Sequence, residues 1–294
     1  MRNFLFEQYG YYPKDIKDRE FCINGWKFEL IPTELQEENI TSIENYVGIL
    51  NNKFNNRGPF IVKNKSGNKL SIYNNEYHVL ITIFLFEMKM SDLVQFHYLF
   101  YQENEEIELD RILEAWKTRI DNLEKKLGNY LRADSIFYKE NLDISMFAIG
   151  LGINAMQYLS DIIHNYSNKL KGVTIVHKRL KDLNSFDLLN PLNFIVETPL
   201  KDLCLLYQSG YIGYEELMQN ISKYKVDVIS ASFLMARLLY RVDIFDFLET
   251  KRGIEDKQQQ IIFDIEHELD KIKKAYRLLK QQYLIRPIDW LEEN

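Results

Sequence analysis

The chain changes its hydrophobic periodicity once, near residue 86, and this change limits the possible folds most strongly. Before that point apolar residues mostly alternate with a period of two, as at residues 77–83, which is the pattern of a strand. After it they recur every three or four residues, as in the stripe at 109–127, which is the pattern of a packed helix. The 294 residues therefore predict an α+β protein, with a β-rich part followed by a larger helical part.

Residues 1–86 predict a small antiparallel β-sheet with one helix. Asn24-Gly25 tolerates positive φ at both turn positions and separates two apolar segments, which indicates a β-hairpin. Thr33, with Gln36 completing a capping box, is expected to open the helix, which ends near Asn51. The predicted strands are residues 20–23, 26–30, 60–62, 70–73 and 77–83.

Residues 87–294 predict a helical lobe. Apolar stripes indicate helices at 109–127, 147–159, 221–248 and 262–283, and the second of these is apolar almost all round and so expected to be central. The first and last stripes fit a short coiled coil as well as packing within one bundle. An irregular, mildly apolar insert at 173–206 interrupts the helices, and such an insert is where a functional site is expected.

Charge and composition exclude several classes of protein. Lys and Arg total 37 against 43 Asp and Glu, and a net charge of −6 argues against a general nucleic-acid binder. The most apolar segment, residues 79–86, falls short of the roughly 20 residues that span a bilayer. The first residues do not resemble a signal peptide, so synthesis in the cytoplasm is expected. Cys22 and Cys204 are expected to be buried free thiols.

The common catalytic motifs are absent from the sequence. There is no P-loop, no HExxH and no GxSxG, and no metal site is predicted. Of the five histidines only His177 lies in the insert, and core or surface roles are expected for the others: His78, His97, His164 and His267.

Four stretches share their order and spacing with a known family. In the insert, His177-x-x-Leu180-x-x-x-Asn184 is followed by Pro199-x-x-Asp202-Leu203. The other stretches are WKTRIDNLE at 116–124, ARLLY at 236–240 with FD at 245–246, and PIDWL at 287–291. Together they resemble the CotS/YutH-like spore coat proteins, a degenerate branch of the aminoglycoside phosphotransferase and protein-kinase-like superfamily. The resemblance implies a two-lobed kinase-like fold, with a β-rich N-lobe at 1–86 and a helical C-lobe at 87–294.

The positions that handle phosphate and metal in active relatives carry other residues here. By the resemblance, Arg179 stands in place of the catalytic acid, and a guanidinium has no acceptor for the substrate proton. Asn193 replaces a metal-holding acid, and Ile31 replaces the lysine that pairs with nucleotide phosphates, with Lys27 assigned to the other register. Asn184 matches the metal-holding Asn of the catalytic loop. No glycine-rich loop precedes the strand that contains Ile31.

Asp202 matches an acid that, in relatives, ties down the catalytic loop through backbone hydrogen bonds. Two other roles stay open for it: an ion pair with Arg179, and a surface charge at a helix N-terminus after Pro199. For Arg179 itself the alternatives are a solvated loop charge, a contact for an anionic ligand, and that same ion pair.

The resemblance and the departures from it together predict a pseudokinase without a cofactor. It would act through other proteins as a structural or interaction component of the spore coat or of coat assembly, and its aromatic content suits adhesive surfaces. The alternative is an active ATP-dependent small-molecule phosphotransferase with a rearranged site, in which Asn184 holds Mg²⁺ with Asp182, Asp187 or Glu197. A helical scaffold built on the two stripes is a third possibility that needs no resemblance.

Overall fold

The computed structural model describes residues 1–35, 37–132, 142–250 and 265–292. Contacts group the chain into an N-terminal unit, Met1–Leu99 with His177–Ile195, and a C-terminal unit, Phe100–Val176 with Val196–Asn294. The sequence instead predicts a boundary at residue 86 and places 87–99 and 177–195 in the helical lobe. Units defined by contacts need not coincide with domains, so the division at residue 86 stays a prediction.

The N-terminal unit contains the predicted antiparallel sheet. Strand β5 is central and pairs with β2 along one edge and with both β3 and β4 along the other, while β1 pairs with β2 alone. The strands are β1 (Glu20–Ile23), β2 (Trp26–Pro32), β3 (Phe60–Val62), β4 (Leu70–Tyr73) and β5 (Glu76–Phe84). With the helical C-terminal part described below, this confirms the α+β class and the order of its two parts.

The predicted hairpin joins β1 to β2. Asn24 and Gly25 both have positive φ, 50° and 83°, as the two-residue turn requires. Phe28 and Leu30 of β2 point to one face of the sheet, where they are buried with Leu5 of a helix that was not predicted, α1 (Arg2–Tyr9). Periodicity did not indicate α1, because Leu5 is the one buried residue of this helix and a single residue does not make an apolar stripe.

The predicted helix of the N-terminal unit is α2 (Glu37–Lys53), which begins later than expected. Thr33 does not open it, because its hydroxyl instead accepts a hydrogen bond from the Leu35 N–H at 3.0 Å. Gln36, the other half of the predicted capping box, lies outside the described residues. Helix α3 (Met90–Leu99), the short helix α6 (Ser185–Leu189) and a 3₁₀ turn (Pro191–Asn193) complete the unit.

The C-terminal unit is mainly helical and includes most of a three-stranded sheet. The helices among its described residues are α4 (Leu109–Arg132), α5 (Leu142–Asn165), α7 (Leu200–Gln208), α8 (Tyr214–Ile221), α9 (Val228–Leu239), α10 (Val242–Thr250), α11 (Ile265–Tyr283) and α12 (Asp289–Glu292). The sheet has the order β6 (Gln102–Glu108), β7 (Lys169–His177), β8 (Phe194–Glu197). The stripe of α4 is buried against α5, so the first stripe packs within the unit.

Helix α5 is the central helix that the sequence predicts. It lies between α4 and α9, and nine of its residues are buried. By length and composition alone it is also long and apolar enough to cross a membrane, with 44% of its most apolar window buried. A core helix of this kind meets the same criterion, so its composition is weak support for a membrane span.

The predictions for the helix at 221–248 and for Cys22 need correction, and part of the last stripe falls outside the described residues. The predicted helix at 221–248 is not continuous: residues 222–227 are not helical, and two helices follow, α9 and α10, because Asp227 caps α9 at its start and Gln208 donates to carbonyl oxygens at its end. Ile262, in the last stripe, lies outside the described residues. Cys204 is buried as expected, but Cys22 is exposed because it lies on the edge strand β1, on the opposite face from Phe21.

Candidate functional site

Four of the predicted site residues lie together in residues 177–195 of the N-terminal unit. The first, His177, is the last residue of β7 and is fully buried. Its Nε2 donates a hydrogen bond to the Leu188 carbonyl oxygen at 2.8 Å. Its ring contacts those of Phe96 and Phe194, at centroid distances of 5.2 Å and 5.5 Å. These contacts are those of a core histidine that positions the segment after it.

Arg179 and Asn193 contact each other through a reciprocal pair of hydrogen bonds. The Arg179 N–H donates to Asn193 Oδ1 at 3.0 Å, and Asn193 Nδ2 donates back to the Arg179 carbonyl oxygen at 2.6 Å. The Arg179 side chain is exposed, and its guanidinium donates to the Lys178 carbonyl oxygen at 2.7 Å. Both ends of the Asn193 amide are therefore used on backbone, and an aspartate, which has no donor, could not make the same pair.

Asn184 is the N-cap of helix α6. Its Oδ1, the atom expected to hold a metal, accepts from the Asp187 N–H at 2.8 Å and so caps the helix. Its Nδ2 donates to carboxylate oxygens of both Asp182 and Asp187, at 2.5 Å and 2.6 Å. Two of the three acids named in the alternative prediction thus converge on one amide nitrogen.

The predicted lysine position lies on β2. Ile31 is opposite Val79 of β5, and Lys27 lies four residues earlier, on the same face of the strand. The assignment of Lys27 to the other register is therefore wrong, because residues an even number apart share a face. The Lys27 ammonium forms an ion pair with Glu20 at 2.8 Å and lies 4.3 Å from the centre of the Phe186 ring.

Glu29 shares this face with Lys27 and was missed by the sequence analysis. Burial raises the pKa of Glu29, the charges of Glu20 and Asp187 raise it further, and the charge of Lys27 opposes them. Strands β1 and β2 thus bring two carboxylates and a lysine near helix α6. The charges at alternate positions of β2 were the available signal, but their nearness to Asp187 depends on tertiary structure.

Asp202 and Glu197 belong to the C-terminal unit. Asp202 is fully buried in the first turn of α7, so its interpretation as a surface charge is wrong; its pairing with Arg179 stays a prediction. Glu197, the third acid of the alternative, forms an ion pair with Arg237, and both side chains are buried. Arg237 also lies over the rings of Trp116 and Phe233.

Two of the other stretches that carried the resemblance, 116–124 and 236–246, meet inside the C-terminal unit. Trp116 of α4 stacks on Tyr240 with a ring-centroid distance of 4.3 Å. Arg119, one turn later on α4, donates to Asp246 at 2.5 Å and to Glu249 at 2.7 Å, both on α10. These residues therefore join α4 to the end of α9 and to α10, which is a packing role.

The residues at the implied nucleotide and metal positions do not fit Mg²⁺ and ATP. They offer a cation, an aliphatic side chain and amides whose oxygens accept backbone hydrogen bonds, whereas Mg²⁺ favours free carboxylate oxygens. Within 1–35, 37–132, 142–250 and 265–292 no group of three or more His, Cys, Asp or Glu side chains is placed to hold a metal. A pocket of about 500 Å³ in the C-terminal unit contains none of the predicted site residues; its lining includes Tyr101, Glu103, Lys171, Lys225 and Asp227.

Comparisons with known proteins identify the family. No curated protein matches the chain. The crystal structure of an aminoglycoside phosphotransferase from Alicyclobacillus acidocaldarius is similar over 89% of this chain and 88% of that one, with 10% identity and a TM-score of 0.47. A score at that level does not establish a common fold by itself. The model of the family Spore coat putative kinase YutH matches residues 2–282 and confirms the predicted resemblance. The chain therefore belongs to the YutH family of spore coat proteins.

Proposed function

We propose that the protein is a catalytically inactive member of this kinase-like family and acts as a structural or interaction component of the spore coat or of its assembly. Family membership supports the coat setting. The contacts of Arg179 and Asn193 support the absence of phosphotransfer.

The reciprocal pair between Arg179 and Asn193 is the observation that carries the proposal. In an active kinase the two acids would offer free negative oxygens to a proton and to a metal ion. Here Asn193 uses its oxygen and its nitrogen on the Arg179 backbone, and the Arg179 side chain is a permanent cation. The Arg179 side chain therefore cannot accept the hydroxyl proton of a substrate, and Asn193 brings no negative charge to Mg²⁺.

Calorimetry with ATP, with and without Mg²⁺, tests the proposal. We expect no binding, or binding that Mg²⁺ does not change, and no turnover of ATP by the purified protein. Turnover that is abolished by Arg179→Ala or by Asn193→Ala would overturn the proposal, because it would show that these residues take part in chemistry.

A second candidate function is favoured by one observation. Asp182 and Asp187 point to a common atom, Asn184 Nδ2, and two carboxylates that converge in this way are the acids a rearranged phosphotransferase would need. That function predicts Mg²⁺-dependent thermal stabilisation by ATP that is lost in Asp187→Asn. The matched control is Asp121→Asn, on the exposed side of α4, which removes the same charge from the C-terminal unit.

The coat assignment has a separate test. Antibody labelling and fractionation of sporulating source cells should place the protein in the coat fraction, after synthesis in the mother-cell cytoplasm. Protein that stays in the cytoplasmic fraction of mature spores would contradict a structural role in the coat, whatever the outcome of the nucleotide experiments.

A further inference from the structure

One surface of the N-terminal unit combines exposed aromatic rings with basic side chains. We call Arg2, Phe6, Tyr12 and Lys65 the aromatic–basic surface. Phe6 is 53% exposed and Tyr12 is 63% exposed, and their rings meet edge to face at a centroid distance of 6.0 Å. Because both rings remain largely exposed to solvent, they can contact a partner protein.

A cationic side chain lies over the face of each ring. The Arg2 guanidinium lies 5.6 Å from the centre of the Tyr12 ring, and the Lys65 ammonium lies 4.9 Å from the centre of the Phe6 ring. Both cations are held by backbone carbonyl oxygens: Arg2 donates to that of Lys14, and Lys65 to that of Phe6 at 2.7 Å. Among the described residues neither cation forms an ion pair with a carboxylate, so both positive charges remain uncompensated.

The surface is fixed by the segments beneath it. Lys65 lies in a loop centred on the buried Asn64, whose Oδ1 accepts from the Ser66 and Asn68 N–H groups, both at 3.0 Å. The Lys65 N–H donates to the Gln8 carbonyl oxygen at 2.7 Å, which ties this loop to the end of α1. Rings and cations held in place before binding lose little conformational entropy when a partner docks.

We propose that the aromatic–basic surface binds an acidic segment of a partner protein. Carboxylates of the segment would compensate Arg2 and Lys65, and its apolar side chains would cover Phe6 and Tyr12, the residue classes enriched at protein interfaces. A membrane fits less well, because each cation near an anionic bilayer contributes only about 1 kcal/mol and two exposed rings are a small insertion. The inference deepens the proposed function and rests on it for the setting of the partner.

Fluorescence anisotropy with a labelled poly-glutamate peptide tests the inference. The wild-type protein should bind this peptide at low salt, bind it less well as salt rises, and not bind poly-lysine of the same length. The double variant Arg2→Glu/Lys65→Glu should weaken binding about tenfold or more, because two attractive contacts become repulsive.

The control is Lys117→Glu/Lys125→Glu, which makes the same change in net charge on exposed positions of α4. It should change the affinity less than about twofold if binding is local. Equal loss in the two variants, or no binding by the wild type, overturns the inference. The inference is also overturned if phosphatidylcholine–phosphatidylglycerol vesicles, or single-stranded DNA, bind more tightly than poly-glutamate and the Arg2/Lys65 variant abolishes that binding. None of these outcomes affects the nucleotide test, so this inference and catalytic inactivity can fail separately.

Discussion

Asn193 needs both a donor and an acceptor in its side chain, and this requirement gives the first prediction. In Asn193→Asp the group that donates to the Arg179 carbonyl oxygen at 2.6 Å becomes a negative oxygen facing another oxygen. We expect a loss of about 1 kcal/mol or more in the free energy of unfolding, and no gain of phosphotransfer. Chemical denaturation measures the first effect and an ATP turnover assay the second.

The control for this variant is close in sequence. Asn190 caps the 3₁₀ turn by accepting from the Leu192 N–H at 3.1 Å, a role that a carboxylate can also fill. Asn190→Asp adds the same charge three residues away and should leave stability nearly unchanged. If both variants lose the same free energy, the added charge and not the lost donor is responsible.

Glu29 gives a pH-dependent prediction. Burial and the nearby acids Glu20 and Asp187 raise its pKa, so the folded protein holds the Glu29 proton more tightly than the unfolded chain does. The stability that this proton contributes is present at acidic pH and is lost as pH rises through the folded-state pKa. We therefore expect Glu29→Gln to raise the melting temperature at neutral pH, with a gain that shrinks on acidification.

Glu20→Gln is the matched control for this prediction. Glu20 is partly exposed and forms the ion pair with Lys27, so its replacement removes a favourable contact along with a repulsive one. It should give no comparable gain at neutral pH. A melting temperature of Glu29→Gln that stays equal to that of the wild type from acidic to neutral pH would show that the folded protein does not disfavour the charged form of Glu29.

The chemistry at single positions was readable from the sequence only in part. Arg179 and Asn193 could be recognised as unsuitable for catalysis because a guanidinium and an amide have fixed donor and acceptor properties. Their hydrogen bonds to each other could not be predicted, because these depend on the path of the chain between them. The convergence of Asp182 and Asp187 on Asn184 follows from the cap of α6, a five-residue helix too short for any periodicity.

Elements that carry a strong local signal were predicted best. The hairpin of β1 and β2 follows from Asn-Gly and alternation, and α4 and α5 from long apolar patterns. The break between α9 and α10 was missed because apolar residues continue on both sides of it. Helix α1 was missed because its position depends on burying Leu5 against the sheet, a contact distant in sequence.

The packing of α5 against α4 gives a prediction for one glycine. A Cβ on Gly152 would lie 2.8 Å from Ile120 Cδ1 and 3.2 Å from Phe245 Cζ, so the alanine needs its neighbours to shift. Overpacking typically costs about 1–3 kcal/mol, which exceeds the gain of about 0.5–1 kcal/mol from helix propensity. We expect Gly152→Ala to lower the free energy of unfolding in a denaturant titration.

Gly150 provides the comparison within the same helix. No atom lies within 4 Å of a Cβ built there, so Gly150→Ala has the propensity gain without the contact. It should stabilise the protein by about 0.5–1 kcal/mol. Two variants with equal stability would mean that α4 and α5 are less closely packed at Gly152 than the distances indicate.

For the whole molecule, family and fold class were predictable because order and spacing of several weak motifs add together, although each motif alone is unspecific. The structure shows why the stretches at 116–124 and 236–246 occur together: Trp116 stacks on Tyr240 and Arg119 pairs with Asp246. Partner surfaces were not predictable, because Phe6, Tyr12 and Lys65 come together only through the loop that contains Asn64.

Net charge is a property of the whole chain, and it gives a prediction that separates overall from local charge. With −6 at pH 7 and a pI near 5.6, solubility should be lowest near pH 5.6, where repulsion between molecules vanishes. The variants Arg2→Glu/Lys65→Glu and Lys117→Glu/Lys125→Glu change the net charge equally, so both should move this minimum to lower pH by the same amount in precipitation assays. Only the first should lose the acidic peptide. If the two solubility minima differ, replacing Arg2 and Lys65 changes more than the net charge. Loss of the peptide could then no longer be assigned to the aromatic–basic surface alone.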